Sequence, residues 1–311
     1  MLIVTSSKNY KKTHKKEGLK NMKLNKQKYV IEKINSFDLV HTFECGQCFR
    51  WNKQLDGSYT GIFENNVVNV KIENSKIIFE GIFDEDAKTI IENYFDLNRN
   101  YEKIKTTLKK VDEHVKTSIK YGEGIRLLNQ NLWETIISFI ISANNNIPRI
   151  KGIIEKISKK YGNKIEWEGN EYYTFPTVEE LSKASIEDLR NLGLGFRDVR
   201  VFETTKMIME KQIDLEKLTK LKDSKRIREE LLKLPGVGPK VADCIMLFST
   251  LKCLDVFPID VWVRRVINEL YFKLPDETKL KNTQIEKLAK EKYGNLAGIA
   301  QQYLFYWKRE A

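Results

Sequence analysis

Leu234-Pro235-Gly236-Val237-Gly238-Pro239-Lys240 joins two amphipathic runs, Arg226 to Leu234 and Lys240 to Leu251. Both runs have helical periodicity. Gly236 and Gly238 permit positive φ and close backbone approach. Pro239 suits the first turn of the helix that follows. The stretch therefore predicts a tight hairpin whose second helix presents free N–H groups at its positive end, a cradle suited to a phosphate. A weaker echo lies upstream. Leu189-x-x-Leu192-Gly-Leu-Gly195-Phe196-Arg197 repeats the helix, glycine turn and helix, and again places a cation two residues after the second glycine. Two helical corners would each need glycine, but they would not need the cations.

Outward from the hairpin, the pattern stays helical. Leu132 to Ile141 is apolar nearly all round and reads as a buried central helix. Ile147 to Tyr161 is amphipathic, and Thr177 to Leu192 opens with a capping-box pair, Thr177 and Glu180. Further helices are expected from Leu215, over Val261 to Leu270, and over Leu296 to Trp307. Before Phe83 the period changes. Tyr59 to Phe63, Val67 to Ile72 and Lys76 to Phe79 are short β-branched or aromatic runs, separated by the turn pairs Asn65-Asn66 and Asn74-Ser75. The fold class is α+β: a small N-terminal antiparallel β-sheet domain (29–115), then a mostly helical body (116–311) that holds the hairpin at 231–251.

Charge and cysteines narrow the function classes. The chain of 311 residues carries +11, but residues 1–28 hold nine Lys and one Glu, which is most of it. That tail lacks apolar periodicity and reads as disordered. It could hold nucleic acid non-specifically or be a solvated extension. Cys45, Cys48, Cys244 and Cys253 are too few for a disulfide scaffold and lack the quartet an iron–sulfur cluster needs. Cys45-Gly-Gln-Cys48 has redox-pair spacing, but packing explains it as well. A zinc site would need a second Cys/His pair. No apolar run reaches the roughly 20 residues of a membrane span, and no signal-peptide core is present, so an intracellular protein is expected.

Lys240 and Asp260 stand out chemically. A lysine nucleophile must be neutral to attack, and a free Lys has a pKa near ~10.4. At a helix N-terminus, the positive dipole end disfavours a second positive charge, as does partial burial. The position suits an attacking amine, and it equally suits a phosphate contact. Asp260 follows Val256-Phe257-Pro258-Ile259 and opens a helix. It can act as an N-cap, as a fixed carboxylate, or as both.

Residues 231–265 resemble the helix-hairpin-helix (HhH-GPD) DNA glycosylases, whose hairpin leads into a Gly/Pro-rich loop and an Asp. Within them the chain is similar to the 8-oxoguanine DNA glycosylase/AP lyase branch. Further matches, in the same order, are Gly46-Gln47-Cys48-Phe49-Arg50-Trp51, Asn144-Asn145-Asn146-Ile147-Pro148-Arg149, Leu192 to Arg197, Val241 to Cys244 and Gln301 to Phe305. Together they span roughly residues 29–308.

The resemblance implies a TBP-like sheet, a flipped base and a lysine Schiff base. Lys240 is the implied nucleophile and Asp260 the carboxylate that stabilises developing sugar cation and assists deprotonation. Gly46, Cys244, Gln301 and Phe305 are the implied base pocket. The Gly46 carbonyl would accept the N7 hydrogen carried only by oxidised guanine. Asn144 is the implied filler of the vacated stack, with Asn145 beside it. Arg149 and Arg197 are the implied readers of the orphaned cytosine, although either could contact phosphate. Phe196 is the implied wedge, where the family usually has Tyr. Trp262 stands where a His is expected near phosphate. Gly236 and Gly238 would meet the DNA backbone. No cofactor is implied beyond an ion held by hairpin carbonyls on DNA. The implied partner is double-stranded DNA with oxidised guanine opposite cytosine, met by a monomer in a bacterial cytoplasm or nucleoid. The competing readings are a glycosylase for another damaged base and a non-catalytic hairpin DNA-binding protein.

Overall fold

A computed structural model describes residues 25–34 and 36–310. The basic tail therefore lies outside the described residues except for its last four, and these correct the expected boundary at 28. Asn25–Lys28 open strand β1 (Asn25–Glu32). This strand pairs along its whole length with β5 (Lys76–Phe83), and a paired ladder holds the chain despite its lysines. With β2 (Trp51–Lys53), β3 (Tyr59–Phe63) and β4 (Asn66–Glu73), these strands form an antiparallel sheet in the order β1-β5-β4-β3-β2. The registers Tyr59↔Val70 and Val70↔Phe79 line up apolar residues on one face. That face buries Phe37, Phe43, Trp51 and Phe63 with Tyr94 and Phe95, at the end of the helix Ala87–Tyr94. Phe63 and Tyr94 stack with ring centroids 3.8 Å apart.

The helical body is built on the central helix Leu132–Ser142, whose Ile136, Ile137, Ile140 and Ile141 are fully buried. The amphipathic helix Ile147–Tyr161 packs Ile150, Ile153, Ile154 and Ile157 into the same core. The two cores interleave along the chain. Leu108, Val115 and Ile119 join the helical core, whereas Leu128 joins that of the sheet. Fully buried Arg126 locks the crossing, donating to the carbonyls of Phe95, Asp96 and Arg99 and to Ser36.

Two expectations fail. The chain is not helical throughout after Phe83: β6 (Lys164–Trp167) and β7 (Asn170–Tyr173) form a hairpin. Its turn residues Glu168 and Gly169 both have positive φ, which matches the twist of paired strands. Ile165 covers Ile62 and Val67 on the outer side of the sheet. The run Thr177 to Leu192 is two helices, Val178–Leu181 and Ile186–Asn191. The Thr177–Glu180 capping box is present, but Ser185 and Asp188 form a second one that restarts the chain.

A cleft of about 980 Å³ separates the sheet from the body, lined by Glu64, Glu134, Arg99 and Lys252. Burial pushes the Glu134 carboxyl up to about 7, with Glu155 and Glu64 adding to the rise and Arg50 opposing it. Between the unfolded value of 4.5 and about 7, the folded protein binds more protons than the unfolded chain. Stability conferred by the neutral acid is thus lost as pH rises through that window. Glu134→Gln is expected to raise Tm at pH 8 and to change it little at pH 5, an effect on the order of 2 kcal/mol. Equal Tm shifts at both pH values would contradict the assignment.

Candidate active site and DNA-facing surface

The hairpin forms as expected, between the helices Ser224–Leu231 and Pro239–Phe248. Leu231, Leu234, Val237 and Val241 are its buried anchors. Thr204 donates to the Pro235 carbonyl at 3.0 Å, fixing the turn to the helix Asp198–Met209. The two glycines differ, which corrects the sequence reading. Gly236 has φ +88° and is hemmed in by Arg200 and Ile140. Gly238 is extended at φ −90°, in open space, as the N-cap of the second helix. One left-handed residue is enough to reverse the chain; Gly238 leaves the helix start uncovered. Gly236→Ala is therefore expected to cost about 1–3 kcal/mol of stability. Gly238→Ala should lower Tm far less. Equal losses in thermal melts would contradict this division.

Pro239 at the start of the second helix puts Lys240 in its first turn, partly buried, with Nζ 5.5 Å from the Phe139 ring centroid. Cys244 lies one turn on and is buried. Burial pushes its thiol up to about 11, opposed by the Lys240 charge and hydrogen bond, while Asp243 and Asp260 add to the rise. Lys240, Cys244 and Asp260 thus share one electrostatic neighbourhood. Asp260 caps the helix Val261–Ile267, accepting the Val263 N–H at 2.7 Å. The capping and carboxylate readings coexist, because capping fixes the group at a positive helix end.

Gly46, Gln301 and Phe305, expected in the base pocket, lie on two facing elements. The C-terminal helix Ala297–Glu310 carries Gln301 and Phe305 on one stripe. Gly46, at φ +82°, faces it: a Cβ there would lie 3.7 Å from Phe305 and 3.6 Å from Arg309. Gln301 is buried, and its Oε1 already accepts from Gln302 at 2.8 Å. Gln47, quoted in the motif but given no role, proves structural. Its amide donates to the carbonyls of Thr42 and Arg126 and accepts from the Leu128 N–H. Cys45 and Cys48 are buried free thiols, and burial pushes both up, which suits packing rather than redox exchange.

On the exposed side the three asparagines divide their work. Asn144 is exposed at φ +51°, a conformation Asn tolerates. Asn145 donates to the Ile141 carbonyl, and Asn146 caps the helix Ile147–Tyr161. Phe196 is 55% exposed, with the Arg197 and Arg200 guanidinium carbons 4.2 and 5.0 Å from its ring centroid. Arg149 is exposed and donates to the Gly193 carbonyl. Arg197 is buried, with its donors on the carbonyls of Ala143, Asn144 and Leu194. In this state it supports the Asn144 turn. Trp262 and Val261 are exposed at the start of the Asp260-capped helix. Sequence reasoning missed Arg200 and Arg309. The four-residue spacing Gln301, Phe305, Arg309 was the available signal for the second.

Comparison with known proteins identifies the family. Residues 29–136 match the family model of the 8-oxoguanine DNA glycosylase N-terminal domain, and residues 137–293 that of the HhH-GPD superfamily base excision DNA repair proteins. A probable N-glycosylase/DNA lyase of Methanothermobacter thermautotrophicus is 31% identical, over 89% of this chain and 95% of its own. The N-glycosylase/DNA lyase of Saccharomyces cerevisiae is 33% identical, over 86% and 82%. Among solved structures, the Clostridium acetobutylicum 8-oxoguanine glycosylase/lyase, in complex with double-stranded DNA containing cytosine opposite 8-oxoG, superposes with a TM-score of 0.86. It is 40% identical and covers 92% of this chain and 97% of that one.

Proposed function

The chain belongs to the HhH-GPD superfamily of base excision DNA repair proteins, in its 8-oxoguanine glycosylase branch, and we propose that Lys240 and Asp260 carry out its excision and strand-cleavage chemistry. The protein is a DNA glycosylase with AP lyase activity that removes 8-oxoguanine in base excision repair. The observation that carries the residue assignment is the placement of Lys240 in the first turn of one helix and of Asp260 as the N-cap of another.

The steps follow from that arrangement. The damaged nucleotide is flipped out, because its glycosidic bond is inaccessible within the stack. The Lys240 amine bonds to C1′ as the bond to the base nitrogen breaks. Asp260, held in place by the Val263 N–H, opposes the developing positive charge on the sugar. The sugar ring opens to a protonated Schiff base. Loss of a C2′ proton then expels the 3′ phosphate, and water releases Lys240. The Gly46 carbonyl accepts the N7 hydrogen that guanine lacks, Gln301 addresses the pairing edge, and Phe305 and Cys244 sandwich the ring. Phe196 wedges the stack, and Asn144 fills the gap with Asn145 behind it. Arg149, exposed and held by one bond to the Gly193 carbonyl, meets the orphaned cytosine, whereas buried Arg197 must first give up its bonds to three carbonyls. Gly236, Gly238 and Trp262 face the phosphates.

This chemistry needs no cofactor. No step above is routed through an ion at the hairpin. Among the described residues, no helix is long and apolar enough to cross a membrane. The Lys-, Asn- and Ile-rich composition supports an AT-rich bacterial genome as the source, and the DNA substrate supports the nucleoid as the place of action. The substrate reading is tested with duplexes carrying 8-oxoguanine opposite each of the four bases, and with an alkylated purine. Fastest excision of 8-oxoguanine opposite cytosine is expected. Faster release of the alkylated purine would overturn the lesion assignment, and equal rates opposite all four bases would overturn the partner base.

A further inference from the structure

We infer that Arg309 is a positioning residue for base recognition, holding the Gly46 wall of the pocket against the Phe305 wall. This rests on the base-pocket reading above. Arg309 is the third member of the stripe formed by Gln301 and Phe305 on the C-terminal helix. Its Nη2 donates to the Glu44 carbonyl, and its Nη1 lies 3.6 Å from where a Gly46 Cβ would stand. Its Nε donates to the Glu310 carboxylate at 2.8 Å, and its guanidinium carbon is 5.4 Å from the Phe305 ring centroid. One side chain thus touches both walls.

The physical need for such a tie lies in Gly46. A glycine at φ +82° has no side chain to lock its peptide plane, so the direction of its carbonyl depends on what holds the loop. The ends of the loop are fixed elsewhere. Cys45 donates to Thr42, and Gln47 binds the carbonyls of Thr42 and Arg126. Between those anchors, Arg309 supplies a hydrogen bond from the opposite wall to the loop, at the Glu44 carbonyl. Discrimination by a single hydrogen requires its acceptor within hydrogen-bond reach, and a loosened wall loses that first. The fold itself has other ties between these elements, such as the edge-on contact of His41 with Tyr306 at 5.4 Å.

The experiment uses the full chain with Arg309→Ala, Arg309→Lys and Phe305→Ala. Single-turnover excision is measured for 8-oxoguanine and for guanine opposite cytosine, beside strand cleavage at a preformed abasic site. Abasic cleavage involves no base and reports folding and the lysine chemistry. Arg309→Ala is expected to slow 8-oxoguanine excision by roughly tenfold and to narrow its preference over guanine, with abasic cleavage unchanged. Arg309→Lys should recover part of the loss. The inference is overturned if Arg309→Ala matches wild type while Phe305→Ala is impaired. It is also overturned if excision, abasic cleavage and affinity for undamaged duplex all fall together, which would mark a phosphate contact. Wild-type excision by Phe305→Ala would overturn the pocket reading itself, and the inference with it.

Discussion

Lys240→Gln is expected to abolish strand cleavage at abasic sites and to slow excision of 8-oxoguanine by at least about a thousandfold. The decisive companion is Lys240→Arg. A guanidinium keeps the positive charge at the hairpin but stays protonated, so it cannot attack carbon. If Lys240 were a phosphate contact, Arg would serve and activity would survive. If it is the nucleophile, both variants are dead. Neither should unfold the protein. The side chain is partly buried, and the attraction of its Nζ to the Phe139 ring, 5.5 Å away, is worth about 0.5–2 kcal/mol. Retention of wild-type excision by Lys240→Arg would contradict the account.

Asp260→Asn is expected to lower excision by on the order of 10²–10³ while leaving thermal stability close to wild type. Asn is as good an N-cap as Asp, so the bond from the Val263 N–H survives and only the charge is lost. Asp260→Ala loses charge and cap together and should cost a further ~0.5–2 kcal/mol of stability. The pair separates the two roles that meet in this residue. The rates of the two variants should be similar and their melting temperatures different. A fully active Asp260→Asn protein would leave Asp260 with capping alone.

How far these residues could be read in advance differs by kind. The hairpin was legible because its signals are local: Pro239, the glycines and the flanking periodicity lie within one short stretch. The strands β3, β4 and β5 were legible for the same reason. The hairpin β6–β7 has alternating residues, Lys164-Ile165-Glu166-Trp167, yet its stability comes from Ile165 against Ile62 and Val67, a contact about a hundred residues away in sequence. Gly238 looked like a second flexible turn residue because residue type does not reveal φ. Arg197 looked like a free recognition group because the motif is silent on whether its donors are already bonded. The three carbonyls that bind it became visible only once the Asn144 turn and the Gly195 turn were placed side by side.

A second amine makes the nucleophile assignment a real choice. Burial pushes the Lys252 ammonium down to about 7, with Asp96 opposing. A lowered pKa alone would make it a candidate nucleophile. Its geometry argues otherwise. Lys252 donates to the carbonyls of Leu127 and Leu128 at 2.7 and 3.0 Å and faces Asp96 at 3.8 Å, on the cleft between sheet and body. It ties the two cores together and lies outside the Lys240–Cys244–Asp260 group. The most direct measurement is therefore borohydride reduction of the protein on an 8-oxoguanine:cytosine duplex, followed by peptide mapping of the trapped complex. The predicted result is one sugar adduct, on the Nζ of Lys240. An adduct on Lys252, or excision that proceeds with no trapped complex, would contradict the account.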